Sequence, residues 1–178
     1  SGAGKTTLAL ALLRLPGAGW ATDDAVFLEA RAERLRLHGV PAAFHVAEGT
    51  LAVVGEPGTA LGGALARQPQ KRALEVRELF RGSERTVPLA PALLLFPEVA
   101  AGVTSLTGLS PPEALARLYR SALFALVDVP AAEAHRDALA RLARQSRAIA
   151  VSLGPDLLEH PDEVVTRLAA ELARPGSG

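Results

Sequence analysis

The chain has 178 residues, 49% of them apolar, with a formal net charge of zero and a pI near 6.9. That length suits one domain with its own core, and the neutral balance argues against nucleic acid bound through bulk charge. The lack of cysteine excludes disulfides, thiolate metal sites and thiol catalysis, and no apolar run reaches the roughly 18–20 residues of a membrane span, so a cytoplasmic protein without a membrane partner is expected. The chain opens on Ser1-Gly2-Ala3-Gly4-Lys5-Thr6-Thr7. This matches most of the phosphate-loop pattern G-x-x-x-x-G-K-[ST], whose first glycine would fall upstream of Ser1. In such a loop backbone N–H groups wrap the phosphates. Lys5 would reach the β- and γ-phosphates, and the Thr6 hydroxyl would bind Mg²⁺. Lys5 stands out further because the only other lysine is Lys71.

Residues 7–15 (TLALALLRL) are apolar and rich in helix formers, so a helix is expected behind the loop, its positive end facing the phosphates. Pro16-Gly17-Ala18-Gly19 should end it. Residues 20–29 (WATDDAVFLE) read as a strand carrying Asp23-Asp24, and 34–38 alternate basic and apolar residues as a half-exposed strand does. Residues 41–46 and 51–54 are further short strands, and together this middle section reads as an antiparallel meander. Residues 56–70 read as loop with a short helical turn, and 71–81 fit either a strand pair or one helix. Residues 93–96 are a strand stopped by Pro97. Ser110-Pro111-Pro112-Glu113 starts a helix, with a Ser cap, prolines in the first turn and an acid near the positive end. That helix should run to about residue 126. A second helix should cover 131–147 with Leu139, Leu142 and Ala143 on one face. A buried strand over 148–153 and a last helix from Pro161 to about residue 173 complete the pattern. Helices mixed with strands and led by a phosphate loop mean an α/β domain over 1–174, with a tail at 175–178. The strand ahead of the loop should be central in the sheet, and a chain lacking it is expected to fold poorly.

Asp23 and Asp24 lie one helix and one turn after Lys5, a spacing that returns carboxylates to the loop. One acid near Mg²⁺ can hold the metal, and a neighbouring acid can accept the proton of an attacking hydroxyl. The competing reading is a solvated turn before a strand. Other residues carry open alternatives. Asp128, after the apolar run 123–127, is a second Mg²⁺ acid or a residue at a helix end. His38 and His45 lack a third ligand at metal spacing and read as structural or surface histidines. Arg81 and Arg85 flank Gly82-Ser83 in a loop that delivers an arginine to the phosphoryl group or simply carries solvated charge. The arginines of 135–147 read as a solvated face.

The run Ser1-Gly2-Ala3-Gly4-Lys5-Thr6-Thr7-Leu8-Ala9-Leu10, followed by Asp23-Asp24-Ala25-Val26, resembles the kinase domain of HPr kinase/phosphorylase and its HPr kinase-like relatives. Residues 35–46 (LRLHGVPAAFHV) look like the relatives' strand, Gly-x-Pro and strand, and 148–155 (AIAVSLGP) like their final strand and turn. The likeness covers most of the chain loosely and is specific over the first 28 residues. It implies a phosphate-loop fold of the HPr kinase and phosphoenolpyruvate carboxykinase type, a mixed sheet with flanking helices. It implies ATP and Mg²⁺ as cofactors, with Ser1 to Thr7 around the phosphates, Lys5 as the catalytic cation, and Thr6 and Asp24 on the metal. Asp24 is the first choice for the general base and Asp23 the second. The implied reaction phosphorylates a serine hydroxyl of a protein or peptide. The alternatives are a small-molecule or nucleotide kinase, or an ATP-binding regulatory module. Bifunctional members are hexamers, so a homo-oligomer is compatible. This chain departs from the family pattern at Leu35-Arg36-Leu37-His38-Gly39, which lacks the metal-binding Glu of the family's Glu-Ile-Arg-Gly segment.

Overall fold

The structure is a computed structural model and describes residues 3–22, 25–31, 34–39, 44–46, 72–74, 85, 87–122 and 129–174. It opens with α1 (Lys5–Leu12), whose Leu8, Leu10 and Ala11 are buried. Two antiparallel pairs follow. β1 (Val26–Arg31) and β2 (Arg34–Gly39) run from Val26 opposite Gly39 to Arg31 opposite Arg34. β3 (Phe44–Val46) pairs with β4 (Arg72–Leu74). The remaining elements are β5 (Leu93–Val99), β6 (Ser105–Leu109), α2 (Pro111–Ser121), α3 (Val129–Gln145), β7 (Arg147–Leu153), the single turn α4 (Asp156–Glu159) and α5 (Pro161–Leu172).

The main sheet among the described residues has the order β5-β7-β6, with β7 parallel to β5 and antiparallel to β6. Central β7 is covered on both faces, which is why its sequence RAIAVSL is an apolar run and not an alternating one. On one face Ile149, Val151 and Leu153 pack with Leu8 and Ala11 of α1 and with Val164, Val165 and Leu168 of α5. On the other, Ala148 packs with Ala114 of α2 and Ala143 of α3, flanked by Leu94, Phe96 and Leu109. Each fully buried Leu, Ile or Val contributes about 1.5–3 kcal/mol relative to exposure, so this three-layer core is the main stabilising feature. The result is the expected mixed α/β domain, a small sheet flanked by helices.

The expected buried face of the long helix holds: Leu139, Leu142 and Ala143 are all buried. The expected start of α2 also holds. Ser110 donates both its N–H and its hydroxyl to the Glu113 carboxylate. Those two bonds, the hydroxyl first, hold the Glu113 carboxyl below its usual range. The helix ends earlier than expected, at Ser121 with Ala122 as its cap, and the run 123–128 lies outside the described residues. Residues 51–54 and 56–70 also lie outside them. The 105–109 strand was not anticipated, because Ser-Leu-Thr-Gly-Leu carries little β-forming signal and contains a glycine.

Two strand expectations need correction. No strand runs continuously from residue 20; β1 begins at Val26. The Thr22 hydroxyl donates to the Ala25 carbonyl at 2.9 Å, one residue ahead of the strand. Nor does Pro97 stop its strand, since β5 continues to Val99. Arg147 N–H bonds the Ala92 carbonyl and Ala100 N–H bonds the Leu153 carbonyl, so the even-numbered residues of β5 face β7. Pro97, an odd position, turns its donor-less nitrogen to the other edge, where no bond to β7 is lost.

Candidate functional site

The amino end of α1 is capped by Gly4, whose backbone is left-handed at φ 79° and ψ 11°. An L-residue is strained there, and space forbids one as well. A Cβ on Gly4 would lie 2.5 Å from Leu153 Cδ1 and 3.6 Å from Val99 Cγ2. Val99 and Leu153 are the last residues of β5 and β7, and they stand opposite each other in the parallel ladder. The glycine of Gly4-Lys5-Thr6 therefore rests on the carboxyl ends of two parallel strands. In open α/β sheets that end is where ligands bind.

Lys5, Thr6 and Thr7 form the first turn of α1, and Leu8 N–H makes the first i−4 bond, to the Gly4 carbonyl at 2.9 Å. N–H groups in a first turn have no acceptor within their own helix. No acidic residue occupies that turn, so no side chain there offsets the positive end of the helix dipole. Lys5 is exposed, while Thr6 and Thr7 are partly buried. An anion placed at this end would meet backbone donors, one ammonium and two hydroxyl-bearing residues.

The strand ends below Gly4 are held by a polar cluster that the sequence did not reveal. Asp156 Oδ1 accepts from Thr104 N–H at 2.9 Å and from Thr104 Oγ1 at 2.7 Å. The same hydroxyl oxygen accepts from Gly154 N–H at 2.9 Å. Arg167 Nη2 donates to the Thr104 carbonyl at 2.9 Å and to Asp156 Oδ2 at 3.1 Å. Gly154 allows the close packing, since a Cβ there would overlap the Gly102 carbonyl oxygen. Burial works to raise the Asp156 pKa, but the Thr104 bonds and Arg167 outweigh it and hold the carboxyl below its usual value. Glu98, one residue before Val99, accepts from Ser152 Oγ at 3.4 Å. It is a further acid at this end of the sheet, and its signal was legible: the run Leu93-Leu94-Leu95-Phe96-Pro97 ends in it.

Of the residues singled out from the sequence, Gly4, Lys5, Thr6 and Thr7 come together at the amino end of α1, with Ala3 just ahead of them. Ser1, Gly2, Asp23, Asp24, Asp128 and Arg81, and the side chain of His45, lie outside the described residues. Arg85 does not approach the loop. Its Nη2 donates to the Gly17 carbonyl at 3.2 Å, and its side chain covers Gly19, beyond the carboxyl end of α1. Eight helical residues at ~1.5 Å each separate the two ends by about 12 Å. His38 is a hydrogen-bond partner of Glu29: its Nε2 lies 2.8 Å from Glu29 Oε2 across the β1–β2 pair. Among the described residues no three His, Asp or Glu side chains gather as a metal cluster, and no helix is long and apolar enough to cross a membrane.

Fold and site together define a mixed α/β domain with a glycine-capped helix at the carboxyl end of its parallel strands. Comparison with family models, with curated proteins and with solved structures found no match to this chain.

Proposed function

We propose that this chain is an ATP-dependent phosphotransferase of the HPr kinase-like type, acting on a serine hydroxyl of a protein or peptide. One observation carries the reading: Gly4-Lys5-Thr6 opens a helix at the carboxyl ends of parallel strands, with a left-handed glycine seated on Val99 and Leu153. A glycine cap, first-turn N–H donors, an exposed ammonium and a threonine hydroxyl form a donor set suited to a polyphosphate. Thr6 and Asp24 are the residues that would hold Mg²⁺, which when bound supplies charge neutralisation on the phosphates.

In this reading the acceptor serine oxygen bonds the γ-phosphorus while the bond to the β,γ-bridging oxygen breaks, releasing ADP. Asp24, or Asp23, takes the hydroxyl proton. The chain's contribution is positioning and fixed charge: Lys5 and the α1 N–H groups hold the phosphates in line, where charge builds on the non-bridging oxygens. The test is transfer of γ-labelled phosphate from ATP to serine-bearing peptide and protein acceptors, with wild type and Asp24→Asn compared. Transfer that disappears in the variant while ATP binding persists supports the kinase. Tight binding without transfer to any acceptor points to a regulatory module, and transfer to nucleotides or metabolites alone points to a small-molecule kinase.

A further inference from the structure

We infer that Thr104, Asp156 and Arg167 form a clamp that positions the phosphate loop; the inference rests on the phosphate reading of the α1 amino end. Gly4 has no side chain with which to fix itself. Its place is set by what it rests on, the side chains of Leu153 and Val99. Leu153 is followed at once by Gly154, whose N–H is held by Thr104 Oγ1, and Val99 leads into the 100–104 turn, which ends in Thr104. Thr104 is therefore bonded to both sides of the seat. Its hydroxyl takes the Gly154 N–H and donates to Asp156 Oδ1, its own N–H goes to the same carboxylate oxygen, and its carbonyl accepts from Arg167.

Thr104 is buried, with 4% of its surface exposed, so its polar atoms depend on these partners. Arg167 closes the set from α5 by reaching the Thr104 carbonyl and Asp156 Oδ2 with one nitrogen. The cluster acts through Gly4; its three side chains are positioning residues. A loop seated about 1 Å out of place no longer aims its N–H donors at the phosphates, and those donors hold a bound anion.

The test uses the full chain and ATP with Mg²⁺, measuring the dissociation constant, the steady-state KM and kcat for transfer, and the melting midpoint. Thr104→Val keeps shape and removes the hydroxyl; Thr104→Ser keeps the hydroxyl. Arg167→Met, at a half-exposed position, carries the test if Thr104→Val does not fold. The clamp predicts that Thr104→Val weakens ATP binding about tenfold and raises KM without lowering kcat. It also predicts that Thr104→Ser restores the wild-type value and that Arg167→Met weakens binding about threefold. Variants that melt earlier yet bind ATP as wild type does would overturn it, because the cluster would then serve stability alone. Lys5→Ala keeps the two ideas apart. If it binds ATP like wild type, the phosphate reading fails and the clamp's role falls with it. If it loses ATP while the clamp variants do not, only the clamp is wrong.

Discussion

Gly4 shows how much one residue can fix. Its φ of 79° and the 2.5 Å separation a Cβ would have from Leu153 Cδ1 act in the same direction. A left-handed non-glycine residue costs about 1–2 kcal/mol, and displacing a buried leucine adds to that. Gly4→Ala is therefore expected to lower the unfolding free energy by about 2–4 kcal/mol in urea titration and to weaken ATP binding. A variant as stable as wild type would mean that the backbone at residue 4 is not left-handed. Gly4 as the cap of α1 was readable from sequence because a glycine stands directly before a run of strong helix formers. Leu153 and Val99 were not readable as its seat. They are ordinary apolar strand residues, and only the parallel pairing of β5 with β7 brings their ends together.

At the scale of elements, strong local chemistry made some boundaries legible. Ser110 and Glu113 mark the start of α2 because Ser110 gives its N–H and its hydroxyl to the Glu113 carboxylate three residues on. Leu139, Leu142 and Ala143 mark the inner face of α3 by helical spacing alone. Pro97 misled because its rule depends on which edge of the strand its nitrogen faces, and that follows from pairing. The same orientation makes the outer edge of β5 a poor template for a further strand. Thr104, Asp156 and Arg167 were illegible for the same kind of reason: they are 52 and 11 residues apart in sequence and meet only where the turn before β6, α4 and α5 converge. Their chemistry gives a pH dependence. The Asp156 carboxyl is held below its unfolded value near 3.8, so its contribution to stability is fully present above that value. The contribution is lost as pH falls through the lower folded value. Asp156→Asn should therefore be less stable at neutral pH and show a shallower loss of stability below pH 3.8. Acid titration of the urea midpoint checks this, and parallel curves for wild type and variant would contradict it.

For the whole molecule, the three-layer arrangement explains why the site lies where it does. Helices α1 and α5 cover one face of β7 and α2 and α3 the other, so both faces of the central strand are closed. The carboxyl end holds Gly4 on its seat, with the Thr104 cluster and Glu98 beside it. The other end of α1 is occupied by Arg85 on Gly17 and by the Arg14–Asp162 pair. That pair leaves Asp162 80% exposed and adds little to stability. The proposed anion site lies at the amino end of α1, beside the Thr104 cluster. The central claim is that this anion is the polyphosphate of ATP. Calorimetric titration of the full chain with ATP and Mg²⁺, beside Lys5→Ala, tests it most directly. The account predicts saturable binding with one site per chain, weakened about tenfold to a hundredfold in the variant, as loss of a charge-assisted hydrogen bond implies. No saturable binding to the wild type, or equal binding by both proteins, would contradict it.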